Sequence, residues 1–336
     1  MMEAILAALP YTLPQYVLFF FLYAILGWCT EVAFAAVQTH ELVNRGFLNG
    51  PLCPIYGCGM IVLLLLLEPF VKNLLVIFLG GMVLTTLIEW AGGALLFRLF
   101  HTRWWDYSQF KGNIGGYICP QFSLAWGAGS VVLMELVHPF IALCVRPIPT
   151  MALLIVNGVL LAGLAADIGV SVAAAIGLNK HLREVDDLRV ALRVVSNKMT
   201  ELIGTNAITF DVLMDESKLQ LTLGAMEGRD NAAEMRDQLT ALVARAAALR
   251  KEGENISSQR FFGTGRLLRA FPRMKNPLHA ETLAMMRTHM ASMAKDAMQK
   301  AATTAKAAAE SAKAATTTAT ENAKATAQEW RERLGK

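Results

Sequence analysis

The sequence predicts an all-α polytopic membrane protein of about five transmembrane helices, followed by a cytoplasmic helical tail with coiled-coil character. Apolar runs of span length recur through the first half. Charge is almost confined to the second half: residues 1–179 hold 6 Lys or Arg and 8 Asp or Glu, against 25 and 19 in the remainder. The few basic residues of the first half fall mainly in alternate loops, the pattern of a chain threaded through a bilayer.

The first span is expected from Pro14 to Val37. The second, Pro54 to Val71, is short and interrupted by Glu68-Pro69. Its core, Met60 to Leu67, follows Pro51, Pro54, Gly57 and Gly59, so an irregular, partly re-entrant entry is expected; such backbone is tolerated at membrane depth only against protein or water. The third runs from Asn73 to Phe97, the fourth from Tyr117 to Val145 and the fifth from Thr150 to Leu178. Lys180, Arg183, Arg189, Arg193 and Lys198 follow the fifth span and place the C-terminal end in the cytoplasm. The N-terminus then lies outside. The start MMEAILAALP lacks a positive n-region, and no cleavable secretion signal is expected.

Four acids interrupt the apolar runs: Glu31, Glu89, Glu135 and Asp167. An ionisable group at mid-membrane costs roughly 2.5–3.5 kcal/mol on insertion scales, so each is expected to face protein, pair with a cation or serve a pathway. Glu31, Glu89, Asp167 and Arg45 are the pathway candidates. Glu31 also reads as a helix-end acid in reach of cytoplasmic water, and Arg45 is a candidate partner for Glu31 or Glu89 because its planar fork suits a carboxylate. Asp167 lies in a ladder of small residues (Gly158, Ala162, Gly163, Ala166, Gly169, Ala173) that predicts a fifth span surrounded by protein.

Two inner loops, Asn44–Gly57 and His101–Cys119, are too rich in Gly, Pro and aromatics to be tethers. They supply the gate candidates Asn44, Trp104, Trp105, Asp106 and Asn113. The Trp pair also reads as an interfacial belt, with Asp106 in a boundary salt bridge to Arg98 or Arg103. Nothing in the pattern marks a catalytic set. Cys29, Cys53, Cys58, Cys119 and Cys144 read chiefly as small apolar membrane residues, with a metal or redox site as the minority reading.

The segments GWCTEV, NRGFLNGPLCPIYGCG, IEWAGG, WWDYS and NIGGYICPQFSLAWG, between Gly27 and Gly127, resemble the ABC-transporter type IV family of bacterial membrane proteins over roughly Tyr16 to Leu178. The resemblance implies a permease of the bacterial cytoplasmic membrane. It carries no substrate and no catalytic residues, and no cofactor is expected. The chain lacks a G-x-x-x-x-G-K-[ST] phosphate loop, GTGRLL at Gly263 lacking the Lys, and shows no EAA-type coupling loop. Any ATP must therefore be bound by a separate ATPase subunit.

In the tail, Val185, Leu188, Leu192, Val195, Met199 and Leu202 form an a/d seam that suits either a homo-oligomeric coil or packing within the chain. Met235, Leu239, Leu242 and Leu249 mark a second amphipathic segment, with a break at Glu252–Asn255. Residues 259–296 interleave basic and apolar side chains and read either as a strip on the anionic inner leaflet or as a buried helix with solvated arginines. Residues 297–336, rich in Ala, Thr and Lys, read as a solitary helix or disorder. The tail's mild positive excess is too mixed in sign for nucleic acid. The expected divisions are thus 1–179, 180–258, 259–296 and 297–336. The leading expectation is the membrane subunit of a transporter for an unknown solute. The rivals are a scaffold or sensor recruiting partners through the tail and, last, a membrane enzyme acting on lipid.

Overall fold

The computed structural model describes residues 9–39, 42–203, 233–258, 263–288, 290–292, 299 and 303–304. The chain divides into two compact units, residues 1–283 and 284–336; helices α1 to α8 all belong to the first. Among the described residues the fold is helical, with two isolated backbone bridges and no strand.

Helix α1 is Leu13–Thr39, α2 Pro54–Leu67, α3 Leu74–Phe100, α4 Pro120–Val132, α5 His138–Val145 and α6 Thr150–Ile203. A π turn, Leu133–Val137, joins α4 to α5. Pro139 has no N–H to give to the carbonyl of Glu135, and the His138 N–H bonds the carbonyl of Leu133 instead, so the helix widens there without breaking. Among the described residues four helices are long and apolar enough to cross a membrane: α1, α3, the continuous Pro120–Val145 and α6. The second expected span is the shorter apolar helix Pro54–Phe70, ending in a 3-10 turn at Glu68–Phe70, where the sequence places the interruption.

The shortness of α2 has a geometric cause. The loop after α1 does not leave the bundle but turns back along it: the Cys53 N–H donates to the Ala24 carbonyl, about midway along α1. Helix α2 therefore starts at mid-depth, with the loop filling the space beside the second half of α1. Small residues permit the approach. A Cβ on Gly57 would lie 2.5 Å from the Phe20 carbonyl oxygen, and one on Gly81 of α3 would lie 2.4 Å from Ser130 of α4. Tyr11, Phe19, Leu63, Ile77 and Met134 form a core at the end of the bundle away from the long loops. Outward residues such as Leu75, Leu136 and Leu143 are exposed, as lipid-facing positions of a spanning bundle must be.

The fifth span differs from expectation twice. It continues past Asn179 without interruption to Ile203, a helix of about 80 Å, so no boundary between elements falls at 179. Nor is it enclosed within the chain: Gly158, Gly163 and Gly169 have open space around them, and burial is confined to a stripe through Leu153, Asn157, Ser171, Ala175 and Leu178. The small-residue ladder lies on the other side of the helix.

Beyond the span, α6 packs against α7, Ala233–Ser258. Val185 and Leu188 of the expected seam are buried along with Ala246, Leu249 and Ile256 of α7, so this part of the seam is covered within the chain. The side chains of Leu192, Val195, Met199 and Leu202 lie outside those described, as do those of Met235 and Leu239. No break occurs at Glu252–Asn255. The helix runs through to Ser258, and Glu252 faces His181 of α6 at 3.4 Å. Almost all of 297–336 lies outside the described residues.

Gly57→Val should overfill the α1–α2 contact and destabilise the bundle by about 1–3 kcal/mol, read as a lower unfolding temperature in detergent, whereas Gly163→Val should leave it unchanged.

Candidate functional site

Two polar clusters form around the re-entrant loop. The first contains Glu31 and Glu89. Glu31 of α1 accepts a hydrogen bond from the Tyr56 hydroxyl at 2.6 Å, and the Arg45 Nε lies 3.6 Å from its other oxygen. This settles the partner of Arg45, whose guanidinium also sits over the Phe34 ring. Glu89 of α3 is only 8% exposed. Its Oε1 accepts from the Tyr107 hydroxyl at 2.9 Å, while Oε2 has no hydrogen-bond partner. The Trp126 indole N–H approaches this carboxylate without reaching hydrogen-bond geometry. Tyr56 packs edge-on against Trp126, and Tyr107 stacks on Phe122 with centroids 4.7 Å apart. Glu31 and Glu89 lie within electrostatic range of each other. The result is a pair of carboxylates among aromatic rings, with one cation, Arg45, on the Glu31 side.

The second cluster is built on Asp167. Its carboxylate accepts from the Asn49 N–H (2.9 Å), the Gly50 N–H (2.7 Å), Asn49 Nδ2 (3.1 Å) and Ser171 Oγ (3.2 Å). Both oxygens are engaged, and the loop tip is clamped to α6. On the other side of the loop lies Arg266, from α8, Gly263–Ala270. Arg266 is 1% exposed and donates to the carbonyls of Gly46 and Phe47, each at 2.6 Å, and to Asn49 Oδ1 at 3.2 Å. Burial draws its guanidinium down to about 10, opposed by the charge of Asp167; it stays protonated at neutral pH. Residues 263–270 of the basic amphipathic stretch therefore form a buried helix and not a membrane-surface strip, but Arg266 within it is not solvated. Arg266 is a buried strut, whose planar fork of N–H donors reaches two turn carbonyls and an amide together. Residues 259–262 lie outside the described ones.

The remaining gate candidates are structural. Asn44 accepts from Trp28 Nε1 at 2.8 Å and donates to the Asn49 carbonyl at 2.8 Å, shaping the re-entrant turn. Asn113 does the same for the second loop, accepting from the Gly116 N–H at 3.1 Å and donating to the Phe110 carbonyl at 2.8 Å. Gly116 has φ +74°, and a Cβ there would lie 2.5 Å from Asp106 Oδ1, so no other residue fits. Trp104 is 3% exposed and packs on Phe47, Phe100 and Phe271, not in an exposed belt. Trp105 donates to the Tyr117 carbonyl. The expected bond of Asp106 to Arg98 or Arg103 is replaced by Lys275 and the Ser108 hydroxyl. Lys275 is brought there by a backbone bridge in which Arg103 and Lys275 exchange both N–H···O bonds, at 2.7 and 2.8 Å. Arg103 is occupied by the Gly115 carbonyl and the Tyr117 ring. Glu135 lies in the π turn, apart from both clusters, with Oε1 unpartnered.

The structure thus brings Glu31, Glu89 and Arg45 together and places Asp167 in a separate, fully bonded hub. Sequence reasoning missed Tyr56 and Trp126, and it gave Tyr107 no acid partner and Arg266 no buried role. The tyrosines were visible inside PIYG and WWDYS, but nothing in a sequence says which acid a tyrosine will reach. All five cysteines are free. Cys53 and Cys119 are buried.

Two predictions concern the tail contact. Arg266→Met leaves three acceptors and Asp167 without the Arg266 charge and should cost about 3–5 kcal/mol, read as faster tryptic cleavage at Arg273 and Lys275. Burial opposes ionisation of Asp106, but Lys275 and Ser108 outweigh it and hold its carboxyl below the usual range. The stabilisation from this group is complete above the ordinary aspartate pKa of about 3.9 and is lost as pH falls through the depressed native value. Acid-induced protease sensitivity of residues 271–276 should therefore set in below about pH 4, and Asp106→Asn should remove that acid step.

No curated protein and no solved structure matches the chain. Residues 18–172 match the family model described as "Putative ABC-transporter type IV", a stretch that holds every residue of the Glu31–Glu89 cluster together with Asp167. The match covers the stretch whose loop motifs resemble the same family.

Proposed function

We propose that the chain is the membrane subunit of a transporter, with its solute path passing Glu89 between α1, α2, α3 and α4 and opening toward a cytoplasmic loop face. The observation that carries this reading is the Glu89 carboxylate: nine-tenths buried, hydrogen-bonded through one oxygen by Tyr107, unpartnered at the other, and lined by aromatic rings. A carboxylate so placed is costly unless it has work to do there. The family match lends support, since it covers the whole cluster. Asp167 has a different part. With both oxygens bound to the re-entrant loop and Ser171, it anchors the loop that forms one wall of the path.

In this reading the chain is not an enzyme. Energy from ATP would come from a separate ATPase docking on the loop face. A scaffold role has one observation in its favour: α6 leaves the bundle as an unbroken helix and carries α7 on its extension, a platform suited to partners.

Substituted-cysteine labelling tests the path. In a variant lacking the five native cysteines, Glu89→Cys should react with a membrane-impermeant thiol reagent added to the loop face, while the outward-facing Leu87→Cys should not. A Glu89→Cys that stays unreactive from both sides would exclude a path at this position.

A further inference from the structure

The tail reaches the carboxylate cluster by a second route, separate from Arg266. Glu89 takes a hydrogen bond from the Tyr107 hydroxyl at 2.9 Å, and its other oxygen has no hydrogen-bond partner. Tyr107 therefore caps this carboxylate, and it does so from the second loop, outside the membrane helices. Asp106 and Ser108 flank it in the chain. Asp106 is 2% exposed and accepts from the Ser108 N–H at 3.2 Å and from the Ser108 hydroxyl. Lys275 of the tail closes this turn. Its Nζ is paired with the Asp106 carboxylate and lies 3.3 Å from Ser108 Oγ. One ammonium group thus grips both neighbours of Tyr107.

The segment that carries Lys275 is itself fixed against the loop. Beside the backbone bridge to Arg103, the Asn276 amide donates to Thr102 Oγ1 and to Asn179 Oδ1 of α6, each at 3.1 Å. The Arg273 guanidinium lies over the Phe110 ring, 5.9 Å from its centroid, and Phe110 in turn meets Tyr107 and Phe122 edge-on. Residues 271–276 so lie along the stretch of loop that carries Tyr107, and they touch the aromatic wall of Glu89. The ion pair at their centre is lopsided. Asp106 is buried, whereas the Lys275 side chain is 58% exposed. A carboxylate as deep as Asp106 depends on its cation; without it the charge must be rehydrated, and the turn has to open to let water in. A strongly hydrated ammonium gives up little on leaving. The contact is released most easily from the side of the tail.

We propose that Lys275 is a positioning residue of the solute path: by holding Asp106 and Ser108 it keeps Tyr107 on Glu89, and release of residues 271–276 uncaps the carboxylate. The inference rests on the path proposed above, with Glu89 at its centre. It gives the tail a part beyond bracing the re-entrant loop. With the segment docked, the chain's own hydroxyl occupies one oxygen of Glu89; with it released, both oxygens are open to a solute. Glu31 stands outside this control. Its partners, Tyr56 and Arg45, belong to α2 and to the re-entrant loop, and that loop is braced by Arg266 and not by Lys275. A change at Lys275 therefore acts on one acid of the pair and spares the other.

The test is carboxyl modification of the full chain in detergent with a water-soluble carbodiimide and glycine methyl ester, read at Glu89 and Glu31 by peptide mass spectrometry. Lys275→Ala should raise the rate at Glu89 by about tenfold, the effect of losing one hydrogen bond to a charged group, and leave Glu31 unchanged. Lys275→Arg, which keeps the charge, should react as wild type does. Tyr107→Phe should raise the rate at Glu89 as far as Lys275→Ala does, and combining the two should add nothing, because both act through one hydroxyl. Unfolding temperature is measured on each variant, and Asp106→Asn, which frees Lys275 without stranding a buried charge, takes the place of a Lys275→Ala that does not fold. A folded variant whose Glu89 reacts as in wild type would overturn the proposal. So would an equal rise at Glu31, the mark of general loosening, or a double variant that reacts faster than Tyr107→Phe alone. The path is judged apart from this: Glu89→Cys has no carboxylate for Tyr107 to cap, so its failure to label counts against the path, whereas labelling there beside a native Glu89 indifferent to Lys275 counts against the positioning role alone.

Discussion

One buried arginine holds the loop face together. Arg266 sits inside a re-entrant turn, where the Gly46 and Phe47 carbonyls converge without a strand or helix to satisfy them. Its guanidinium fills the turn from one side while Asp167 holds the tip from the other, and Asn49 bonds to both. The loop carries Arg45 and leads directly into Tyr56, which together hold Glu31. The geometry of the carboxylate cluster therefore depends on a residue more than two hundred positions away in the chain. Neither charge would be tolerated at that depth without the other and the amides between them.

The fold was readable in outline because hydropathy and helix length suffice for it. The short second span and its irregular entry were legible from Pro51, Pro54, Gly57 and the Glu68-Pro69 interruption. The pairing of Arg45 with Glu31 was also within reach, since the topology places both at one end. What could not be read was long-range. The exposed ladder of α6 has the composition of a buried one, and composition carries no information about which side of a helix its neighbours take. Arg266 read as a membrane-surface or solvated residue because basic residues beside leucines usually are. Its burial depends on carbonyls that only a three-dimensional turn brings together. His138 gave no signal at all; a lone histidine in an apolar run reads as packing until two tyrosines from another segment are found against it.

The two halves of the bundle are built on contrasting terms. The half bearing the long loops is held by amide and guanidinium donors to fixed carbonyls, a rigid lattice in which Asn44, Asn113 and Gly116 lock the turns. The opposite half centres on His138 between the Tyr11 and Tyr23 hydroxyls, with Asn157 donating to the Pro14 carbonyl. Helix α1 joins the two, with Tyr16 and Tyr23 in one and Glu31 in the other, while the π turn before His138 marks where the fourth span departs from regular geometry, as such turns often do beside functional groups.

The position of Arg266 in the chain has a consequence for biogenesis. The membrane helices precede α8 in the chain, so the re-entrant turn, though Asp167 already holds its tip, must wait with its inward carbonyls unmatched until translation has passed residue 270. The membrane half gains this last support only late in synthesis, and a ribosome that stalls within the tail leaves behind an inserted protein whose turn lacks its guanidinium.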